Sequence, residues 1–253
     1  MFNPEHPTLK ARIAAGECLA LAWLSLGSVA LVESAARALP DAIVIDLQHG
    51  LWERRDLEAA IGITPPQIPV IVRVAENSAL AIGTALDAGA EGVMVPMVET
   101  AAEAKKSVLF SKYPPHGVRS GGGVRPLLDF PAYMKGAAGI AVLPMIETAA
   151  GLANASAIAG TKGIDMVFIG TGDLALSLRT WGGSPLKHLR ACAKIKRACD
   201  NASVACGAFT GTLESALEHR ALGYNMVVVA NDMDIAARGF ASASKGFRQP
   251  AAG

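Results

Sequence analysis

Ile140–Leu178 reads IAVLPMIETAAGLANASAIAGTKGIDMVFIGTGDLALSL and holds two short apolar runs, Ile140–Ile146 and Met166–Ile169. Both are continuous rather than alternating, the pattern of strands buried on both faces in a parallel sheet covered by helices. Glu147 closes the first run, and Asp173 follows the second after Gly170-Thr171-Gly172. In α/β folds chemistry collects at the C-terminal ends of the strands. Two carboxylates delivered there converge if the strands are neighbours, and hard oxygen ligands suit Mg²⁺ or Mn²⁺. A plainer reading makes Glu147, beside Thr148, a helix-capping acid and Asp173 an N-cap. The glycine-rich turn strengthens the metal reading. Its backbone N–H groups, at a helix start, form a nest for an anionic group beside a metal ligand.

Outward from this stretch the chain alternates strand-like and helix-like segments without a low-complexity linker. Strands are expected at Leu19–Leu26, Asp41–Leu47, Ile68–Val74, within Glu91–Val98, at Ala205–Thr210 and at Met226–Ala230. Helices are expected over Val29–Leu39, Arg54–Ile63, Ala79–Ala88, Ala101–Ser111, Leu186–Asn201, Leu213–Leu222 and Ile235–Phe247. Eight strands with their helices in 253 residues make a single-domain (β/α)8 TIM barrel the economical reading. One segment breaks the rhythm. Residues 113–126, opening YPPHGVRSGGGVR, read as an inserted loop, and barrel connections of that length usually serve function.

The net charge of +1 gives no electrostatic case for nucleic acid. Cys18, Cys192, Cys199 and Cys206 form no C-x-x-C pair and no zinc spacing, which suits reduced thiols in a cytoplasmic protein. Cys18–Val32 resembles a signal-peptide core, but Glu17 abuts it and Gly27-Ser28 divides it as a strand-to-helix turn does. No apolar run reaches the length of a membrane span.

The expected strand ends present Trp23, His49, Arg73, Glu99, Glu147 and Asp173, with Asp87 on an intervening helix. A lone histidine after a buried strand is most often structural. As a proton carrier His49 needs an orienting carboxylate, for which Asp46 and Asp87 both stand available. Arg73 must face an anion, either a protein carboxylate or a substrate carboxylate, because an unpaired buried guanidinium is very costly. Glu99 receives no role. His116, Arg119 and Arg125 offer contacts to an anionic substrate, although a solvated or subunit-bridging loop is the favoured reading.

The stretches DAIVIDLQHG, VRVAENS, LDAGAEGVMVPMVET, YPPHGVRS, PMIET and GIDMVFIGTGDLALSL together resemble the HpcH/HpaI aldolases, metal-dependent class II pyruvate aldolases. The resemblance runs from about Trp23 to Ala230. It implies an α/β barrel that cleaves or forms 4-hydroxy-2-oxoacids through a metal-stabilised enolate of pyruvate or hydroxypyruvate. It also implies a hexamer, a trimer of dimers exchanging the last helix (235–247). Glu147 and Asp173 match the metal ligands for Mg²⁺, Mn²⁺ or Co²⁺. Arg73 matches the arginine on the keto oxygen, and His49 with Asp87 the acid/base dyad. Gly170, Thr171 and Gly172 match the backbone that holds the pyruvate carboxylate, and Trp23 lines the pocket. Gln48 stands where the family often has glutamate and Met145 where it often has glutamine, so substrate preference is open. No expected strand ends in lysine, which argues against a Schiff-base mechanism. The competing readings are a related metal-enolate lyase, such as one acting on acyl-CoA thioesters, and a non-catalytic oxoacid-binding barrel.

Overall fold

Residues 6–248 are described in a computed structural model, and their eight strands close into one parallel barrel in sequence order. The strands are β1 (Leu19–Leu24), β2 (Ala42–Asp46), β3 (Val70–Arg73), β4 (Gly92–Val95), β5 (Ala141–Ile146), β6 (Met166–Ile169), β7 (Ala205–Ala208) and β8 (Met226–Asn231). Every residue of β5 and β6 is buried, as the continuous apolar runs require. The two pair in parallel through Met145 with Phe168 and Ile146 with Ile169, so the acids that follow them emerge side by side.

Several strands are shorter than expected, and for β1 the reason is that its last N–H groups turn to a side chain. β1 stops at Leu24, and the N–H groups of Ser25 and Leu26 donate instead to the Asp232 carboxylate at 2.8–3.0 Å. Inward residues fill the barrel in layers, among them Leu21, Trp23, Met145, Phe168 and Met226. Outward residues such as Ile43, Val72 and Val167 pack beneath the helices.

Helix α1 (Leu9–Ala14) was not evident from the sequence. It closes the N-terminal end of the barrel, burying Leu9 and Ile13 among the interior side chains. Gly92 makes room for it: a Cβ there would lie 2.8 Å from Leu9 Cδ2. The outer helices begin with α2 (Val29–Arg37), α3 (Arg54–Ile63), α4 (Ala79–Asp87) and α5 (Ala101–Ser111). Thr100 and Glu103 form a reciprocal capping box at the start of α5.

The segment expected to be loop over 113–126 joins α5 to β5, so it lies at the N-terminal end of the barrel, away from the strand ends that carry the acids. It is also not loop throughout. Val124 opens a short helix, α6 (Val124–Leu128), followed by α7 (Phe130–Gly136). Gly123, at φ 88°, makes the turn into α6, and Arg125 then donates to the Glu58 carbonyl within α3.

Above β5 and β6 the helical layer is thin: α8 (Ala149–Ala153) and α9 (Ala155–Ala159) have five residues each. The remaining helices are α10 (Thr171–Ser177), α11 (Pro185–Asn201), α12 (Leu213–Ala221) and α13 (Asp232–Arg248). α13 starts three residues earlier than expected, directly from β8, and leaves Phe240 and Phe247 in solvent. Among the described residues no helix is long and apolar enough to cross a membrane, and all four cysteines are free.

Candidate active site

Glu147 follows β5 and is 1% exposed. Its Oε2 accepts the Met97 N–H at 2.8 Å, while Oε1 is buried with no partner among the described residues. Gly170 belongs to the same construction, since a Cβ there would lie 2.1 Å from Glu147 Oε1. Only a residue without a side chain leaves that carboxylate its place. Burial pushes the Glu147 carboxyl up; the Met97 N–H and Arg73 oppose this, and the charges of Asp173 and Asp46 add to it. An acid so placed needs a proton or a cation.

Asp173 reaches the mouth from the first turn of α10. The N-cap of that helix is Gly170, so the capping role expected as an alternative for Asp173 does not hold. Nor does the one for Glu147, because Thr148 caps α8 with its own hydroxyl, which accepts from the Gly151 N–H at 3.0 Å. The Thr171 hydroxyl donates to the Phe209 carbonyl at 2.8 Å and pins the turn, leaving its backbone to face the mouth. A Cβ on Gly172 would meet no atom within 4 Å, which gives an anion room to approach.

These donors fit a hard divalent cation. They are carboxylate oxygens, one buried and unsatisfied, with a second negative charge near enough to perturb it. No group of three or more His, Cys, Asp or Glu side chains forms a complete cage among the described residues. Water and substrate would therefore supply the other ligands, as in open magnesium sites.

Arg73 ends β3 and faces Asp46 at the end of β2, its register partner. Its Nε donates to Oδ1 at 2.8 Å and its Nη2 to Oδ2 at 2.6 Å. Of the two anions the sequence left open for Arg73, the protein carboxylate is present. This fork fixes the guanidinium plane 5.0 Å over the Trp23 ring, and Trp23 is held by Phe168 and Phe209. Trp23 is thus the floor under Arg73, 2% exposed. Burial alone would raise the Asp46 carboxyl, but the Arg73 hydrogen bonds and charge, with the N–H groups of His49 and Gln48, hold it below the ordinary range.

His49 stands exposed at the mouth, its N–H donating to Asp46 at 3.3 Å. The pairing expected with Asp87 does not occur within the chain: no hydrogen bond or ion pair joins the two among the described residues. Asp87 is the last residue of α4, which leaves the mouth after β3 and runs back toward the start of β4. Nine helical residues carry it roughly 13 Å away along the axis. There Arg119 Nη2 donates to Asp87 Oδ1 at 2.9 Å, between the Tyr113 and Tyr133 rings. Arg119 is 4% exposed, so the solvated reading of that loop fails for it.

Two supports lie outside the roles expected from the sequence. Asp46, expected only as a partner for His49, ends a buried strand next to one ending in arginine, which is a legible signal. Met97, at φ 55°, turns its N–H toward Glu147, and nothing in MVPMVET announces that left-handed backbone. The two departures also have a place: Met145 fills the barrel interior, and Gln48 buries a side-chain oxygen without a partner among the described residues.

A family model described as HpcH/HpaI aldolase/citrate lyase matches residues 19–238. The chain belongs to that family. The aldolase is 35% identical over 237 residues to a hydroxypyruvate/pyruvate aldolase of Paraburkholderia phytofirmans, covering 89% of this chain and 91% of the relative. It is 38% identical over 188 residues to a 4-hydroxy-2-oxovalerate aldolase of Novosphingobium aromaticivorans, covering 72% and 71%. A crystal structure of an HpcH/HpaI family protein from Burkholderia cenocepacia J2315 superposes with a TM-score of 0.89 at 32% identity, covering 95% of this chain and 99% of that one. The aldolase is accordingly a carbon–carbon lyase.

Proposed function

We infer that this aldolase makes and breaks 4-hydroxy-2-oxoacids by way of an enolate of pyruvate or hydroxypyruvate, with a divalent metal, Mg²⁺ or Mn²⁺, held by Glu147 and Asp173. The observation that carries this is the buried Glu147 Oε1, without a partner among the described residues, beside Asp173 and Arg73. When bound, the metal supplies Lewis-acid polarisation of the 2-oxo group. Arg73, held in plane by Asp46 and Trp23, presents its remaining guanidinium N–H groups to the oxygen on which negative charge grows. The N–H groups of Gly170, Thr171 and Gly172 hold the substrate carboxylate. His49, exposed at the rim, moves the proton that leaves the 4-hydroxyl in cleavage and returns it at the pyruvate methyl.

Asp87 can act as the acid partner of His49 only across to a second copy, because α4 carries it to the other end of its own barrel, whereas within the chain Asp46 is the carboxylate beside His49. Exposed Ile235, Phe240 and Phe247 on α13, and an apolar cavity of about 540 Å³ between α2 and β8, support an assembly that exchanges the last helix, such as a hexamer. Four unpaired thiols agree with a cytoplasmic setting. The thioester-lyase reading is weakened by the position of the basic 113–126 segment, which lies too far from the mouth to hold the CoA phosphates of a substrate in the same chain.

Exchange of pyruvate methyl protons in deuterated buffer tests the reading. Exchange should require a divalent metal and vanish in Arg73→Ala. Exchange that persists in excess chelator, or cleavage of acyl-CoA thioesters faster than of hydroxy-oxoacids, would overturn it.

A further inference from the structure

On the flank of the barrel, α5 and α9 frame a cavity of about 730 Å³ that shares no residue with the mouth. Its size is that of a small-molecule site. The reason for it is local: α9 has only five residues, and the small Ala157 and Gly160 at its cavity side leave a gap. Ala101, Lys105 and Val108 recur at three- and four-residue spacing and line the opposite wall from one face of α5, and Lys112 joins them from just past its end. Of the thirteen lining residues four are lysines, Lys10, Lys105, Lys112 and Lys162, one is His116, and none is acidic. In a chain of net charge +1 that concentration is not a reflection of composition.

One acid lies near. Asp165 pairs with Lys10 at 3.0 Å, leaving three lysines without a carboxylate partner among the described residues. Lys112 is half-buried, donates to the Ile140 carbonyl at 2.7 Å, and feels Lys10 and Arg119 as repelling neighbours. The remaining wall is apolar, from Val108, Leu109 and small residues, and the rim is the Gly160-Thr161-Lys162-Gly163 turn.

We propose that this cavity binds an organic phosphate, its charged groups among Lys105, Lys112 and Lys162 and its body against the apolar wall of α5. Several compact ammonium charges around a pocket with no acidic lining residue, joined to an apolar wall, suit a multiply charged anion with an organic body, and lysine binds phosphate as a point charge. The site does not depend on the aldolase reaction and stands whether or not the metal reading of the mouth is right.

Titration calorimetry on the full chain in excess chelator, at constant ionic strength, tests it with inorganic phosphate, pyrophosphate, ADP and citrate. Saturable binding of pyrophosphate or ADP is expected, tighter than phosphate and than citrate, and at least tenfold weaker in a Lys105→Ala/Lys162→Ala double variant. Binding should persist in Arg73→Ala, and the cleavage rate of the double variant without added phosphate should equal that of the wild type. The proposal falls if no phosphate binds saturably, if the double variant binds equally well, or if Arg73→Ala abolishes the heat. It also falls if citrate binds as tightly as pyrophosphate. A double variant that loses its assembly state while no probe binds the wild type would make the groove a contact between copies instead.

Discussion

At the mouth of the barrel Glu147 keeps one buried carboxylate oxygen without a partner among the described residues, whereas at the opposite end Asp87 is closed off by Arg119 between two tyrosine rings. Glu147 follows a buried strand and Asp87 ends helix α4, and both have an arginine close by. The difference is what each arginine is already doing. Arg119 takes Asp87 directly, and the pair braces α4 against the segment before β5. Arg73 takes Asp46 instead, so Glu147 receives only the Met97 N–H and a distant positive charge. A satisfied, half-buried acid such as Asp87 holds the fold together; a buried, unsatisfied one is a place for a cation and, beside Arg73, for chemistry.

The largest effect that sharpens this contrast is expected at the unsatisfied end. Glu147→Gln or Asp173→Asn should lower turnover on the order of a thousandfold. The melting temperature without metal should hold or rise for Glu147→Gln, since a neutral amide can keep the Met97 N–H bond without a buried charge. Turnover within tenfold of wild type would break the comparison. Next, His49→Ala should slow cleavage and proton exchange together by about a hundredfold or more, and Asp87→Asn should do so more mildly. Mixed oligomers refolded from His49→Ala and Asp87→Ala chains should recover activity that neither shows alone. If they do not, Asp87 serves only the fold, as its Arg119 pairing suggests by itself.

Arg73→Lys should lose at least about tenfold, roughly 1.4 kcal/mol of barrier, because an ammonium cannot both fork onto Asp46 and face the substrate. A smaller loss in kcat/KM would make Arg73 a purely structural partner of Asp46.

Lys112 gives a pH-dependent test on the flank. Burial pulls its pKa down from 10.5 to about 8, assisted by Lys10 and Arg119 and opposed by Asp165. Below pH 8 the amine is charged in the folded and the unfolded chain, and the cost of burying that charge is fully present. Between about 8 and 10.5 the folded chain has released a proton that the unfolded chain still holds, so stability rises with pH. Lys112→Met should therefore be the more stable protein at neutral pH, by on the order of 2 kcal/mol after discounting for partial exposure. The advantage should fade as pH approaches 10.5, which urea unfolding of both proteins across that range would follow. A constant difference would show that Lys112 stays charged. The smallest effect is expected from Met97→Gly. It keeps the N–H to Glu147 and relieves a left-handed backbone, so the rate should be unchanged and stability altered by about 1 kcal/mol or less. A lost rate there would show that the Met97 side chain, not its amide, supports Glu147.

Much of this was legible in the residues. The spans of α3, α5 and β6 match the expected ones end to end, because apolar periodicity, the capping pair Thr100 and Glu103 and the flanking Pro65 are local signals. Glu147, Asp173, Arg73 and His49 were placed at strand ends by the same local logic, and the barrel delivers them to one mouth. Helix α1 was not legible, since six residues with two apolar positions carry little pattern, and their burial depends on a barrel that forms around other segments.

By itself, then, the sequence determined the alternation of strand and helix, the closed barrel that eight such units favour, and which side chains stand where strands end. These follow from spacing along one dimension. Only the tertiary structure decided that Arg73 belongs to Asp46, that Glu147 is left with a bare oxygen, that Thr171 is tied to Phe209, and that Asp87 lies at the far end of the axis. Those outcomes depend on which partner each charge meets first in three dimensions, and on a helix running back along the barrel, turning a residue close in sequence to the mouth into one distant from it.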